Sequence, residues 1–286
     1  MESGDGRKVD DMARPGPRSS AVLASVRHVV GGRQLGQLVR AEPVLELVRE
    51  LDGGELLDVG SGGLGLADLL DERWRVTAVD TVFDDYGAWR RGRAPRTRAT
   101  RIVGDVRRLP FPDRSFDVVV ALDLLEHLAP ADRPVALAEL GRVARRRVIA
   151  AAPAGTAALA ADRELAGSLR SAPPWLHEHL TNGFPYPEDI IVPLRAVGVV
   201  REIPNESIGA HLRLTRRELS VAWYLPTRLA ARVLAAGLRD GRPWASSLLR
   251  RLRGDDRRPV YRSIVVAELP AIAASISASS SAASAS

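Results

Sequence analysis

Apolar residues fall along this chain in short blocks divided by glycine, proline and charge. The blocks Leu56–Val59, Arg75–Val79, Arg101–Val106, Phe116–Leu122 and Arg145–Pro153 have strand length and are rich in Val, Ile and Leu. Continuous apolar runs of that length suit strands covered on both faces. Helical stretches alternate with them, the pattern of a doubly wound parallel sheet. Upstream, Leu38, Val44, Leu45, Leu47 and Val48 predict an amphipathic helix over about 36–51. Downstream, residues 156–170 read as helix, 171–180 as a loop or short helix, and Gly183-Phe184-Pro185-Tyr186-Pro187 as a break. A helix over 188–197 capped by Gly198 then leads to a strand at 199–203, and a last strand is predicted at 261–269. Residues 212–258 form a helical insertion; Trp244, Leu248 and Leu252 recur at i, i+4, i+8 and predict its core-facing stripe.

Chemistry concentrates where the strand blocks end. Gly60-Ser61-Gly62-Gly63-Leu64-Gly65 follows the first block, and glycines there let the backbone turn and approach a ligand closely. A helix opening after them would offer unpaired N–H groups to a polar or anionic ligand. Read literally, the string is G-x-G-x-x-G, and Asp80 stands 20 residues beyond Gly60, the dinucleotide spacing. An NAD(P)-dependent oxidoreductase is therefore one reading. Asp58 opposes it, because that position in a dinucleotide fingerprint is a buried strand residue where an unpaired carboxylate is costly.

An acid two residues before the first glycine resembles motif I of the class I S-adenosylmethionine (SAM)-dependent methyltransferases. Later segments extend the likeness: Gly104-Asp105 after the third block, then Phe116-Asp117-Val118-Val119 and Glu126-His127-Leu128, which are similar to the type-11 methyltransferase domain family. The resemblance covers about 40–155. It implies a Rossmann-like, doubly wound, mostly parallel seven-stranded α/β sheet with helices on both faces, the last strand antiparallel, and the helical insertion near the C-terminus. It implies SAM as cofactor, with Asp58, Gly60, Ser61, Gly62 and Gly63 around its methionine end. Asp80 and Thr81 would stand at the ribose, Asp105 and Val106 at the adenine, and Leu122 and Asp123 beside the reactive methyl. Asp123 has a second reading as N-cap of a Leu124–Leu128 helix, with Glu126 completing the cap. An Asp/Asn-Pro-Pro-Tyr/Phe signature is absent at Ala121-Leu122-Asp123-Leu124, which argues against the branches that methylate DNA bases or glutamine amides.

The acceptor side is less defined. His127 is a candidate base by its titration range, Asp123 and His177 are further candidates, and residues 156–187 form the expected lid. Trp175, Phe184 and Tyr186 either line an acceptor pocket or pack beneath the loop. His177 and His179 are spaced i, i+2 and do not share a helix face, so no metal site is expected.

Composition narrows the class. Of 286 residues 45% are hydrophobic, yet no apolar run approaches membrane-spanning length. With no cysteine there is neither a disulfide framework nor a thiol nucleophile. A polar segment at 1–20 and an Ala/Ser tail at 271–286 are expected to be disordered around a methyltransferase domain at 21–270. These features suit a cytoplasmic enzyme. The net charge of +6 is carried by arginine, and residues 195–258 hold 14 Arg against 6 acids. That excess suggests a solvated helix face, an anionic or lipid-linked small-molecule acceptor, or peripheral membrane contact. Nucleic acid is disfavoured, since aromatic residues do not interleave with the basic ones. The expected reaction is methyl transfer to an O or N atom of a small or medium-sized acceptor. A non-catalytic binding module working through the Arg-rich insertion is the third reading.

Overall fold

The computed structural model describes residues 33–83 and 97–270. The segments expected to be disordered, 1–20 and 271–286, lie outside the described residues, as do residues 21–32 of the expected domain. Seven strands form one sheet: β1 Gly54–Val59, β2 Trp74–Asp80, β3 Thr100–Val103, β4 Phe116–Leu122, β5 Ala144–Pro153, β6 Val199–Ser207 and β7 Val260–Glu268. Their order is β3-β2-β1-β4-β5-β7-β6. Strands β1 to β5 pair in parallel, and β7 runs antiparallel to both β5 and β6. This is the expected fold, and it leaves the carboxyl ends of β1 to β4 on one edge.

Side-chain alternation sorts the core into two layers. Leu56, Val118, Val120, Ile149 and Ala151 face one side, while Leu57, Val119, Ala121, Val148 and Ala150 face the other. Helices α2 (Arg133–Val143) and α5 (Pro187–Arg195) cover the second face through Leu137, Leu140, Ile190 and Leu194. Between them in sequence lie α3 (Gly155–Ser168) and α4 (Pro174–Asn182), which pack on each other over the cleft edge. The short-helix alternative for 171–180 is thus the observed one.

The first face departs from expectation. Instead of an α-helix after the glycine loop, the chain makes a three-residue 3-10 turn, Ala67–Leu69. Only the fourteen residues between Val59 and Trp74 are available, and the glycine loop takes six of them. Arg98 donates to the carbonyls of Ala67 and Leu70 at the end of the turn. The missing cover comes from α1 (Leu35–Arg49) and the insertion, which folds as α6 (Ile208–Leu219), α7 (Val221–Arg239) and α8 (Pro243–Arg253). Ala231, Leu234, Leu238, Ala245 and Leu249 join Leu38, Leu45, Leu69, Leu70 and Trp74 in one cluster. Enclosed by sheet and insertion, α1 buries all of Ala41 to Leu45, so it is buried nearly all round rather than amphipathic.

Within α8 the expected stripe holds only at Leu252. Trp244 is 49% and Leu248 43% exposed, while Ala245 and Leu249, one position on, are buried; Leu252 packs at the cluster's margin. Gly237 explains the offset, since a Cβ there would stand 2.8 Å from the Trp244 ring, which lies across α7. Arg250 and Arg253 pair with the buried Glu42 of α1 at 3.2 Å each. These two arginines staple the insertion to the core. Gly198 is not a helix cap: Ala196 ends α5, and Gly198 lies where a Cβ would meet the Glu268 carbonyl.

Candidate active site

Asp58, Asp80, Asp105 and Asp123 each stand at or just beyond the end of a parallel strand, where doubly wound sheets bind ligands. They line one cleft of about 850 Å³, together with Gly60, Ser61, Gly62, Gly63, Thr81, Val106, Leu122 and His127. Every residue expected to bind cofactor therefore lies in the same cleft.

Asp58 shapes the loop from beneath. Its carboxylate is 3% exposed and accepts from the Leu66 N–H at 2.7 Å. Gly65 has φ +52°, and a Cβ on it would stand 2.7 Å from Asp58 Oδ2, so only glycine fits there. Asp80 steadies the loop from the side, accepting from the Gly62 N–H at 2.8 Å. Asp105 is engaged by Arg107 at 2.5 Å, and that arginine also reaches Asp132 at 3.1 Å. The Arg107 hydrogen bonds hold the Asp105 carboxyl below its ordinary range.

Burial pushes the Asp58 carboxyl up to about 6, against about 4 for a free aspartate. Between those values the folded chain keeps a proton that the unfolded chain has lost. Stability therefore rises as pH falls through that window, and the ionised carboxylate costs roughly 3 kcal/mol at neutral pH. Asp58→Asn should remove this slope while keeping an acceptor for Leu66. Urea unfolding at the two ends of the window checks it: equal pH dependence in both proteins would refute the assignment.

Asp123 corrects one expectation. It caps nothing, and the Leu124–Leu128 helix is only a 3-10 turn, Leu125–His127. Its backbone is left-handed, φ +55°, and its carboxylate lies between Arg40 at 2.6 Å and Arg262 at 2.8 Å. Burial alone would raise its carboxyl, but those two guanidiniums hold it low. Glu126 is no capping partner either: it is 1% exposed, and its Oε2 has no hydrogen-bond partner among the described residues. Burial, then the Asp123 charge, pushes its carboxyl well above the usual range.

Beside it the α3–α4 pair supplies an unforeseen network. Asp162, fully buried in α3, accepts from His179 Nδ1 at 2.7 Å and from the Tyr261 hydroxyl at 2.9 Å. His211 stacks on Tyr261 at 3.4 Å between centroids, with Nε2 3.4 Å from Asp162 and Nδ1 3.6 Å from Glu206. Burial alone would raise the Asp162 carboxyl, yet hydrogen bonds from His179 and His211 bring it down to about 2. His127 meets Glu178 at 2.7 Å through Nδ1, and the His127 and His179 rings lie 5.1 Å apart. His177 is exposed and outside the cleft lining, a correction to its candidacy: α4 turns it away while His179, two residues on, faces in. Trp175 lines the cleft, Phe184 is buried against His179, and Tyr186 is exposed outside it.

Residues 57–151 match the family described as a methyltransferase domain. The match spans a third of the chain and is to the kind of domain its motifs resemble, whose cofactor is SAM. The chain is 41% identical over 96 residues to a demethylmenaquinone methyltransferase of Thermobifida fusca, covering 32% of this chain and 40% of that protein. A second demethylmenaquinone methyltransferase, of Beutenbergia cavernae, is 32% identical over 145 residues, covering 50% of this chain and 51% of that one. The chain thus spans about half or less of the length of these relatives. A putative methyltransferase from an antibiotic biosynthesis pathway of Anabaena variabilis shares the fold, with a TM-score of 0.50 at 15% identity, covering 81% of this chain and 99% of that one.

The cleft accommodates such a cofactor. Ser61 Oγ is buried without a partner among the described residues, as a loop built to meet a polar ligand would leave it. Gly62, at φ +56°, has nothing within 4 Å of its Cβ position, so the loop stays open at that point. The dinucleotide reading loses its physical basis, because a pyrophosphate needs a helix N-terminus after the glycines and only a 3-10 turn follows.

Proposed function

We propose that this chain is a SAM-dependent methyltransferase acting on an O or N atom of a small or medium-sized acceptor. The convergence of Asp58, the glycine loop, Asp80 and Asp105 on one cleft inside a methyltransferase domain carries the reading. Asp58 and the glycine loop hold the methionine end, Asp80 and Thr81 address the ribose, and Asp105 and Val106 the adenine. Asp123, pinned by two arginines, closes the cleft toward the acceptor. Because SAM already carries the activated methyl group, the protein chiefly aligns donor and acceptor.

The acceptor enters beneath α4, and its nucleophilic atom faces His127 and His179. Histidines at that end suit an acceptor that sheds a proton as it is methylated. The demethylmenaquinone methyltransferases above make demethylmenaquinone a natural first compound to assay. Its methyl is added at a ring carbon, so turnover would overturn the O or N assignment while upholding methyl transfer. Among the described residues no helix is long and apolar enough to cross a membrane.

Calorimetric titration with SAM, S-adenosylhomocysteine, NAD⁺ and NADP⁺ tests the cofactor. Only the two adenosyl ligands should bind. Asp80→Ala should weaken S-adenosylhomocysteine more than about tenfold, the loss of a charge-assisted hydrogen-bond partner, with the circular dichroism spectrum unchanged. An unaltered affinity would sink the assignment of Asp80.

A further inference from the structure

Two histidines from different elements meet at the acceptor end of the cleft, each with a carboxylate behind it. His127 Nδ1 lies 2.7 Å from Glu178 and His179 Nδ1 2.7 Å from Asp162. An ionised carboxylate only accepts, so each imidazole presents its Nδ1–H to the carboxylate, and in the neutral ring the other nitrogen, Nε2, is the one that can ligate. That is how metal-binding histidines are oriented, by a carboxylate on the ring nitrogen that does not touch the ion.

The third member is Glu126, one residue before His127. Its carboxylate is buried, lines the cleft, and leaves Oε2 without a hydrogen-bond partner among the described residues. One ligand atom from each of Glu126, His127 and His179 lies within 4.8 Å of the others. Around a tetrahedral zinc ion such atoms stand about 3.3 Å apart, so small side-chain rotations bring them to bonding distance. Charge points the same way. Asp123, Asp162, Glu178 and Glu206 gather here beside Glu126, against the guanidiniums of Arg40 and Arg262 and the imidazole of His211. Neutral histidines would leave that cluster in excess negative charge, which a bound cation offsets.

We propose that Glu126, His127 and His179 form a binding site for a divalent transition-metal cation at the acceptor end of the cleft. Two imidazoles and one carboxylate suit Zn²⁺, Mn²⁺ or Fe²⁺ and leave coordination positions open. The compound such an ion recruits is a hydroxylated acceptor, whose oxygen coordinates and gives up its proton to water more readily. The proposal rests on the methyltransferase reading for that role, while the cation site itself does not depend on it.

The test uses the full chain, stripped with a chelator and dialysed, then titrated with Zn²⁺ by calorimetry and with Co²⁺ by visible absorption. One equivalent should bind, with the intense Co²⁺ spectrum of a nitrogen-ligated site of low coordination number. Glu126→Gln, His127→Ala and His179→Ala should each abolish stoichiometric uptake. Asp162→Asn and Glu178→Gln, which alter only the groups behind the imidazoles, should weaken it on the order of 10- to 100-fold. His177→Ala should change nothing. Titration with S-adenosylhomocysteine serves as the fold check on every variant. Absence of uptake by the unmodified chain, or uptake unaffected by Glu126→Gln and His179→Ala in folded protein, would overturn the proposal. Adenosyl-ligand binding without metal uptake would defeat the cation site alone; metal uptake without adenosyl-ligand binding would defeat the methyltransferase reading alone.

Discussion

Excising residues 208–258 and joining β6 to β7 through a short turn should leave a chain with no cooperative unfolding transition. Leu214, Leu234, Leu238 and Leu249 all lie within the core of the first sheet face. Each buried leucine is worth about 1.5–3 kcal/mol, and a domain's whole stability is about 5–15 kcal/mol. Removing the four would therefore consume most or all of it, before the newly exposed Leu69, Leu70 and Trp74 are considered. The point version is Leu249→Asp, which places a carboxylate at a fully enclosed position and should cost more than about 4 kcal/mol. Arg251→Glu, on the exposed side of the same helix, should fall within about 0.5 kcal/mol. Urea unfolding followed by circular dichroism separates them. Equal midpoints for the two variants would show that the insertion is an appendage after all.

Asp162→Ala should be the most damaging single change near the cleft, at about 3–5 kcal/mol. The carboxylate serves His179, the Tyr261 hydroxyl and His211 at once. Its removal leaves three buried polar groups facing a void, and His211, which burial would push down but Asp162 and Glu206 together hold above its ordinary range, keeps only Glu206. Asp162→Asn retains the shape and one acceptor oxygen and should lose less than half as much. Thermal unfolding of the pair gives the ratio; equal losses would mean that the carboxylate's charge, rather than its hydrogen bonding, sustains the network.

The gathering of four acids at one cleft was readable because each lies at the end of an apolar run. A strand that ends in Asp at a doubly wound sheet's edge has few other places to put it, so Asp58, Asp80, Asp105 and Asp123 could be aligned without coordinates. The acceptor side resisted for the opposite reason. His127 meets Glu178, and His179 meets Asp162, across separate helices, and no local spacing encodes such a meeting. One clue was present. Asp162 falls on the α3 face otherwise made of Ala158, Ala161 and Leu165, and a charge on an apolar face asks for a partner. Arg262 gave a similar clue inside a strand buried along nearly its whole length. Spacing within α4 alone could not register that His127, from another element, lies beside His179. The helix predicted after the glycine loop failed because loop and strand left too few residues for it, a count that the sequence does contain. The α8 stripe slipped by one position because Gly237 lets the Trp244 ring lie over α7, a contact between helices that periodicity does not register.

Borrowing the cover of β1 and β2 from helices encoded far downstream has a cost during synthesis. Trp74 leaves the ribosome about 175 residues ahead of Leu249, its companion in the finished cluster. At about 5–20 residues per second, the nascent chain holds Leu69, Leu70 and Trp74 uncovered for roughly 10–35 seconds. A cofactor loop set on that unfinished layer has no firm base until the last helices emerge. Its birth is therefore a window for chaperone capture, and a stalled or truncated transcript would release a sticky sheet in place of a weakened enzyme.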